Sequence, residues 1–402
     1  MGSEKPKNST LRLLTFSFLR KNPINEFSVT SLASKFSARS FGSSRTFRST
    51  SSTSRPWSRV SRRIWKDSTL ENSYQCIKTA WPVPIIEALF LPEFKIDFTK
   101  KHDFEVINVI SRGAFGKVYR VMNKESQEYF ALKVLSKSKV LRDNYVSQVK
   151  DEVKIQSMCG HHPFIISSPQ YWQNRRKLFI VSEYVEGGDL FDLSEKYGAL
   201  PEELVKIYVA ELGSALDFLH NAGVIYRDLK AENILLDSDG HVVLIDFGLS
   251  KWLKYGHRTN TLCGTLQYMA PEIFSLNGYG HAVDWWALGT LTVYLLTTKF
   301  VSSGNSKTPG ELPTHCEELS KAGFDLVKRL LTADPMRRLR SILTLQTVPF
   351  FLGFDLSKVK MRKIKPKLIL EKHFPDGPKN GVKMKESNVI FFDFENMSPL
   401  IV

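Results

Sequence analysis

The periodicity of the apolar residues changes near Gly188, and that change limits the folds open to this chain. Before it, short runs rich in β-branched and aromatic residues, Phe104–Ile110, Lys117–Met122 and Tyr129–Leu135, alternate with turn residues. Such runs suit half-buried strands joined by tight turns. After it, apolar residues recur at spacings of three and four in Leu204–Leu219 and Trp285–Leu296, the pattern of helices. Between the two regions, Asn144–Met158 also predicts a helix. The expectation is an α+β chain, a small sheet lobe followed by a larger helical lobe, with no internal repeat.

The 402 residues carry a net charge of +15, unevenly placed. Residues 1–66 hold 14 Lys/Arg against 2 Asp/Glu, and the remainder 42 against 39, so a nearly neutral body carries a basic arm. The arm is rich in Ser, Thr and Arg and has too little apolar surface to offset its chain entropy, so it reads as a disordered, phosphorylatable tail. A competing reading gives it an anionic membrane surface, where each base gains about 1 kcal/mol. A third is a mitochondrial transit peptide, against which stand Glu4 and the lack of an amphipathic helix. Nucleic acid is disfavoured, because the arm holds no reading motif and the body is near neutral. Pro6 stands where a myristoylation motif wants Ser or Thr, which argues against acylation at Gly2.

Residues 67–103 form a hydrophobic lead-in, with Trp81-Pro-Val-Pro84 and Leu89-Phe-Leu-Pro-Glu-Phe94, expected to pack against the domain that follows, because so many exposed aromatics would be costly. Cys76, Cys159, Cys263 and Cys316 show neither disulfide nor zinc spacing, which reads as reduced thiols of a cytoplasmic protein. The uncharged run Trp285–Thr298 is short of the roughly 20 residues a bilayer demands and reads as a buried helix.

The chemistry-bearing residues come in a definite order. Ile110-Ser111-Arg112-Gly113-Ala114-Phe115-Gly116-Lys117-Val118 lies between two strand-like runs; its glycines allow a tight turn with N–H groups facing phosphates, although two glycines alone are more often a plain hairpin. Lys133 follows Ala131 in an apolar strand, where an unpaired ammonium is costly to bury. A strand lysine is otherwise a solvated edge residue. Here Glu152, 19 positions on, is a carboxylate able to restrain it, and Lys133 can then hold the α- and β-phosphates of a nucleotide. Next comes Tyr226-Arg-Asp-Leu-Lys-Ala-Glu-Asn233, then Asp246-Phe-Gly248. Asp228 can accept a hydroxyl proton, Lys230 can steady a transferring phosphoryl group, and Asn233 and Asp246 are the oxygen ligands that Mg²⁺ prefers. Singly, Asp and Asn also cap turns; it is the joint order that is informative.

Residues 104–354 resemble a eukaryotic protein kinase. Tyr226 before Arg-Asp, Thr261-Leu-Cys-Gly-Thr265 before Ala270-Pro-Glu272, and Asp284-Trp-Trp-Ala-Leu-Gly289 are similar to the AGC group. The lead-in and Gly264-Thr-Leu-Gln-Tyr-Met-Ala-Pro-Glu272 resemble the ribosomal S-six kinase-related kinases. The resemblance implies a two-lobed kinase fold that uses ATP and Mg²⁺ to phosphorylate Ser/Thr of protein substrates. It implies Glu183–Val185 as the hinge, Asp189 as a ribose contact, Asp284 as a brace for the catalytic loop and a Glu272–Arg338 pair. It also implies that an upstream kinase phosphorylates Thr261.

Three departures accompany it. Ser111 replaces a loop glycine, Lys299–Gly323 is short and Pro/Gly-broken, and the tail 355–402 carries Phe391-Phe-Asp-Phe394-Glu395. That last run resembles a Phe-x-x-Phe motif expected to dock beside the Glu152 helix. The rival to an active enzyme is a kinase-fold scaffold that binds partners and transfers little phosphate.

Overall fold

A computed structural model of the chain describes residues 83–254, 256–275, 277–301 and 312–378, together with Tyr74. The basic arm and the Phe391/Phe394 motif lie outside the described residues.

Among its described residues the lead-in holds a short helix, α1 (Ile85–Ala88), and a short strand, β1 (Lys95–Ile96). Three strands come next, at the places the alternation predicts: β2 (Phe104–Arg112), β3 (Gly116–Asn123) and β4 (Tyr129–Ser136). β2 runs two residues beyond the expected Ile110, because Ser111 and Arg112 keep extended backbone and pair with Val118 and Lys117. The turn is thereby confined to Gly113-Ala-Phe115, closed by the Gly113 N–H to the Gly116 carbonyl at 2.9 Å. Helices α2 (Lys137–Arg142) and α3 (Val146–Cys159) precede β5 (Gln170–Gln173) and β6 (Lys177–Glu183). α3 starts two residues later than predicted. Asn144 takes a left-handed φ of 58°, a conformation Asn tolerates and a helix excludes. The sheet order is β1-β5-β6-β4-β3-β2, antiparallel except for the parallel β1–β5 pair.

After the hinge the chain turns helical: α4 (Leu190–Tyr197), α5 (Glu202–Asn221), α6 (Ala282–Thr297), α7 (Lys321–Leu330), α8 (Ile342–Gln346), α9 (Leu356–Lys360) and α10 (Pro366–His373). α5 buries one broad stripe from Leu204 to Leu219, as its three–four spacing requires. In α6 every residue from Val283 to Leu296 is buried, which is why its sequence lacks a polar face. No helix among the described residues is long and apolar enough to cross a membrane. Between α5 and α6 run the short strands β7 (Val224–Ile225), β8 (Ile234–Leu236), β9 (Val242–Leu244) and β10 (Lys251–Trp252), paired β7–β10 and β8–β9. Their connecting loops carry the remaining candidate residues.

Candidate active site

Lys133 sits mid-way along β4, opposite Val118 on β3 and Ile180 on β6. Its ammonium is 2.6 Å from Glu152 Oε1 and 3.2 Å from Asp246 Oδ1. Burial acts to lower the Lys133 pKa, but the Asp246 and Glu152 carboxylates outweigh it and raise it above the usual lysine value. The same ammonium holds Asp246 below the usual carboxylate range. One cation thus ties together the sheet, α3 and the loop after β9, through carboxylates 19 and 113 positions away from it in sequence.

The two glycines of the β2–β3 turn have different reasons. A Cβ on Gly116 would lie 1.8 Å from the Val134 carbonyl oxygen, so only glycine lets the turn approach β4 next to Lys133. A Cβ on Gly113 would meet nothing within 4 Å, leaving open space over the site. Phe115 at the turn packs on Tyr145 with ring centroids 4.6 Å apart, and its carbonyl accepts from the Ser136 N–H at 3.0 Å. Ser111 is exposed within the β2–β3 ladder.

Asp228 is almost fully buried. Its Oδ1 accepts from the Thr265 hydroxyl at 3.0 Å, and its Oδ2 accepts from Asn233 Nδ2 at 2.8 Å and faces Lys230 Nζ at 3.0 Å. Burial pushes the Asp228 carboxyl up, and Lys230, Thr265 and Asn233 pull it back only in part. A carboxylate raised in this way accepts a proton more readily. Thr265 also accepts from Lys230 at 3.2 Å. Nothing in the sequence assigns Thr265 a task of its own; its place four residues after Thr261 is the one local signal.

Asp284 at the start of α6 accepts from the Tyr226 N–H at 2.9 Å, the Arg227 N–H at 2.8 Å and His220 Nε2 at 2.8 Å. These bonds hold Arg227 at a φ of 71°, a costly conformation for a non-glycine residue. The Tyr226 hydroxyl donates to the Ile245 carbonyl, joining this loop to the one that carries Asp246. Arg338 is paired with Glu272 through Nη1 and Nη2 at 2.6 and 2.9 Å.

Glu183 ends β6, and with Tyr184 and Val185 it crosses to the helical lobe. Ser182 lies opposite Ala131 and donates to its carbonyl at 3.5 Å. Asp189 caps α4, its Oδ1 accepting the Asp192 N–H at 2.7 Å, so this residue has a structural task besides any ribose contact. Burial, then the negative charges of Asp192 and Glu232, push its carboxyl up. The Asp189 and Glu232 carboxylates are thus close enough to repel, and among the described residues neither forms a salt bridge. Nearby, Tyr294 is stacked between Phe191 and Phe300.

Thr261 is exposed, and its carbonyl accepts from the Tyr279 hydroxyl at 2.5 Å. Arg227 Nη1 is buried and has no hydrogen-bond partner among the described residues, although Arg227 Nε donates to the Leu249 carbonyl at 2.6 Å. Lys251 donates to Thr259, whose hydroxyl is 3.5 Å from that of Thr261.

The donor set suits Mg²⁺. Asn233 commits its amide nitrogen to Asp228, at both the carbonyl (2.9 Å) and the carboxylate, leaving its carbonyl oxygen; Asp246 adds carboxylate oxygen. Among the described residues no three His, Cys, Asp or Glu gather to hold an ion unaided. The Asn233 and Asp246 oxygens are of the kind taken by an ion that completes its shell with water and phosphate.

The protein kinase domain model matches residues 104–351. The chain is 40% identical over 291 residues to human ribosomal protein S6 kinase-related protein, a match covering 70% of each chain. It is 39% identical over 312 residues to protein kinase 2 of Dictyostelium discoideum, covering 75% of this chain and 63% of that one. It is also 39% identical over 276 residues to the Arabidopsis thaliana serine/threonine-protein kinase AtPK1/AtPK6, covering 66% and 58%.

Proposed function

The chain belongs to the protein kinase family, with relatives named as serine/threonine kinases, and we propose that it transfers the γ-phosphoryl group of ATP to Ser/Thr hydroxyls of proteins that carry Arg three residues before the target. The observation that carries the reading is the Lys133 ammonium held between Glu152 and Asp246, with Asp228 poised on the adjoining loop. In this reading Asp228 accepts the proton of the attacking hydroxyl at its carboxylate. Lys230 and Thr265 hold that carboxylate in place. Lys133, restrained by Glu152, orients the α- and β-phosphates under the β2–β3 turn. Asn233 and Asp246 would hold Mg²⁺, which when bound neutralises phosphate charge.

The Arg preference rests on the resemblance to AGC kinases, in which carboxylates at the places of Asp189 and Glu232 turn toward that Arg; among the described residues neither forms a salt bridge. A guanidinium satisfies such a pair by bidentate bonds better than an ammonium does. Tyr294, stacked between two rings, offers no charge for a base at the −2 position. Phosphorylation of Thr261 by an upstream kinase is the regulatory part of the proposal. It would set about −1.5 to −2 charges beside Thr259, which Lys251 already reaches, and beside Tyr279, which the Thr261 carbonyl shares with the Arg227 side chain.

A peptide array phosphorylated by the wild type, with Asp246→Asn as control, tests the reading. Signal concentrated on peptides with Arg at −3, and abolished in the variant, is the expected result. Equal signal from the variant removes the assigned mechanism. No signal from wild type phosphorylated at Thr261 would leave the scaffold reading in its place.

A further inference from the structure

α3 delivers Glu152 to Lys133, yet its own start is weak. Its N-cap position is Tyr145, with no side-chain cap hydrogen bond and no acidic residue in the first turn. Val146, Ser147 and Val149 add little intrinsic helix propensity. A helix of 14 residues with such a start takes its position from what it packs against.

What it packs against, through Val149 and Val153, is the lead-in. Phe90 and Phe94 are fully buried in one apolar cluster with Val149 and Val153 of α3 and with Leu178 and Ile180 of β6. Glu93 lies between them in sequence, with its side chain only 6% exposed, and takes two lysines one helical turn apart. Lys150 Nζ and Lys154 Nζ are each 2.7 Å from its carboxylate oxygens. Lys150 also donates to the Leu91 carbonyl at 2.7 Å. Burial alone would push the Glu93 carboxyl up; the hydrogen bonds from Lys150 and Lys154 outweigh it and hold it low, so the clamp is charged at neutral pH.

Both ends of the segment are also hydrogen-bonded to the sheet. Gln173 Nε2, fully buried, donates to the carbonyls of Glu87 at 3.0 Å and Phe94 at 2.6 Å. Its Oε1 accepts from the buried Lys137, whose ammonium lies 5.3 Å from the Phe90 ring centre. Beyond Phe94, β1 pairs with β5. A segment fixed to the sheet at two points and clamped to α3 in the middle sets the attitude of the helix relative to β4. Phe90 and Phe94 also occupy an apolar groove beside α3, where the sequence led us to expect the Phe391/Phe394 motif.

We propose that residues 83–96 form a built-in strap that positions the Glu152 helix, with Phe90 and Phe94 filling the groove beside it and Glu93 as the positioning residue that locks it through Lys150 and Lys154. The inference rests on reading Lys133–Glu152 as the phosphate-positioning pair. The strap acts on ATP through Glu152 and touches no reacting atom.

The test uses the full chain. Glu93→Lys sets three ammonium groups together and should speed amide exchange throughout α3 by about tenfold or more, while α6 stays protected. In the same variant kcat/KM for ATP should fall by about tenfold. Combining Glu93→Lys with Lys150→Glu and Lys154→Glu restores opposite charges and should recover α3 protection and kcat/KM to within about threefold of wild type. Unchanged α3 exchange in Glu93→Lys overturns the proposal, and so does failure of the triple variant to recover. If Glu93→Lys does not fold, Glu93→Gln keeps the size but removes the charge and one of the two acceptor oxygens, and serves for the same two readouts. Lys133→Met keeps the two readings apart. Full activity in that variant would defeat the phosphate-positioning reading and leave the α3 exchange result standing on its own.

Discussion

Replacing Arg338 by lysine keeps the charge and should still destabilise the helical lobe severely. Arg338 is 2% exposed and uses every N–H it has. Nε donates to the Thr332 carbonyl at 2.9 Å; Nη1 donates to Glu272 Oε1 at 2.6 Å and the Ala282 carbonyl at 2.9 Å; Nη2 donates to Glu272 Oε2 at 2.9 Å and the Ala333 carbonyl at 3.2 Å. The guanidinium also lies 5.0 Å from the Trp286 ring centre. An ammonium has three donors and no planar fork, so at least two buried acceptors lose their partner. At about 1–3 kcal/mol for each orphaned group, the loss is about 2–6 kcal/mol. For a lobe of this size that lowers Tm by at least about 4 °C. Thermal unfolding of Arg338→Lys beside Arg337→Lys, a neighbour 84% exposed with a single 3.6 Å contact to Asp334, is the assay. The neighbour should shift by less than about 1 °C. A fall in peptide affinity should accompany the Arg338 change, since Glu272 anchors the segment that carries Thr265. If Arg338→Lys melts within about 2 °C of wild type, the complete use of the five donors is not what stabilises this site.

Asp228→Asn should lower peptide phosphorylation by about 10²–10⁴ without changing Tm much, measured by initial rates at saturating ATP; a near-wild-type rate would exclude Asp228 as the proton acceptor. Ser182, small and opposite Ala131, should let the wild type use ATP analogues enlarged at N⁶, and Ser182→Met should abolish that use while sparing ATP. Rejection of the analogues by the wild type would show that the space is closed. Burial, with Lys360 and His161 nearby, pushes His162 down to about 4. Its unfolded value is about 6.5. Between those values the unfolded chain takes up a proton that the folded chain refuses, so the stability is present above about pH 6.5 and is lost as pH falls towards 4. Tm of His162→Phe should therefore fall less than that of the wild type between pH 7 and 5; parallel curves would rule His162 out as a source of acid sensitivity.

Much of the site was legible in the sequence because its parts are local motifs whose order is fixed by chain direction. Lys133, Asp228, Asn233 and Asp246 each sit in a short run that requires a particular residue, and the structure brings all of them to one cleft with Glu152. Thr265 was not legible as a partner of Asp228. The hydroxyl and the carboxylate are 37 positions apart, and a threonine in a loop carries no periodic signal. The same holds for the difference at α3. Nothing local distinguishes Asn144 as a left-handed residue outside the helix from Asn144 as its first residue.

By itself the sequence determined the α+β order, the extent of most strands and helices, and the identity of the residues around the cleft. These depend on side-chain period and on residue types that chemistry makes hard to replace, and both are read along the chain. Beyond Lys133–Glu152 and Glu272–Arg338, both expected from the sequence, the tertiary structure alone decided which groups pair. It decided that Phe90 and Phe94 fill a groove beside α3, and that Glu93 meets Lys150 and Lys154, residues 57 and 61 positions away. The physical reason is that burial and ion pairing depend on distance in space. A hydrophobic lead-in announces that it must pack somewhere, and only the folded sheet, with Gln173 and Lys137 waiting at its edge, specifies where.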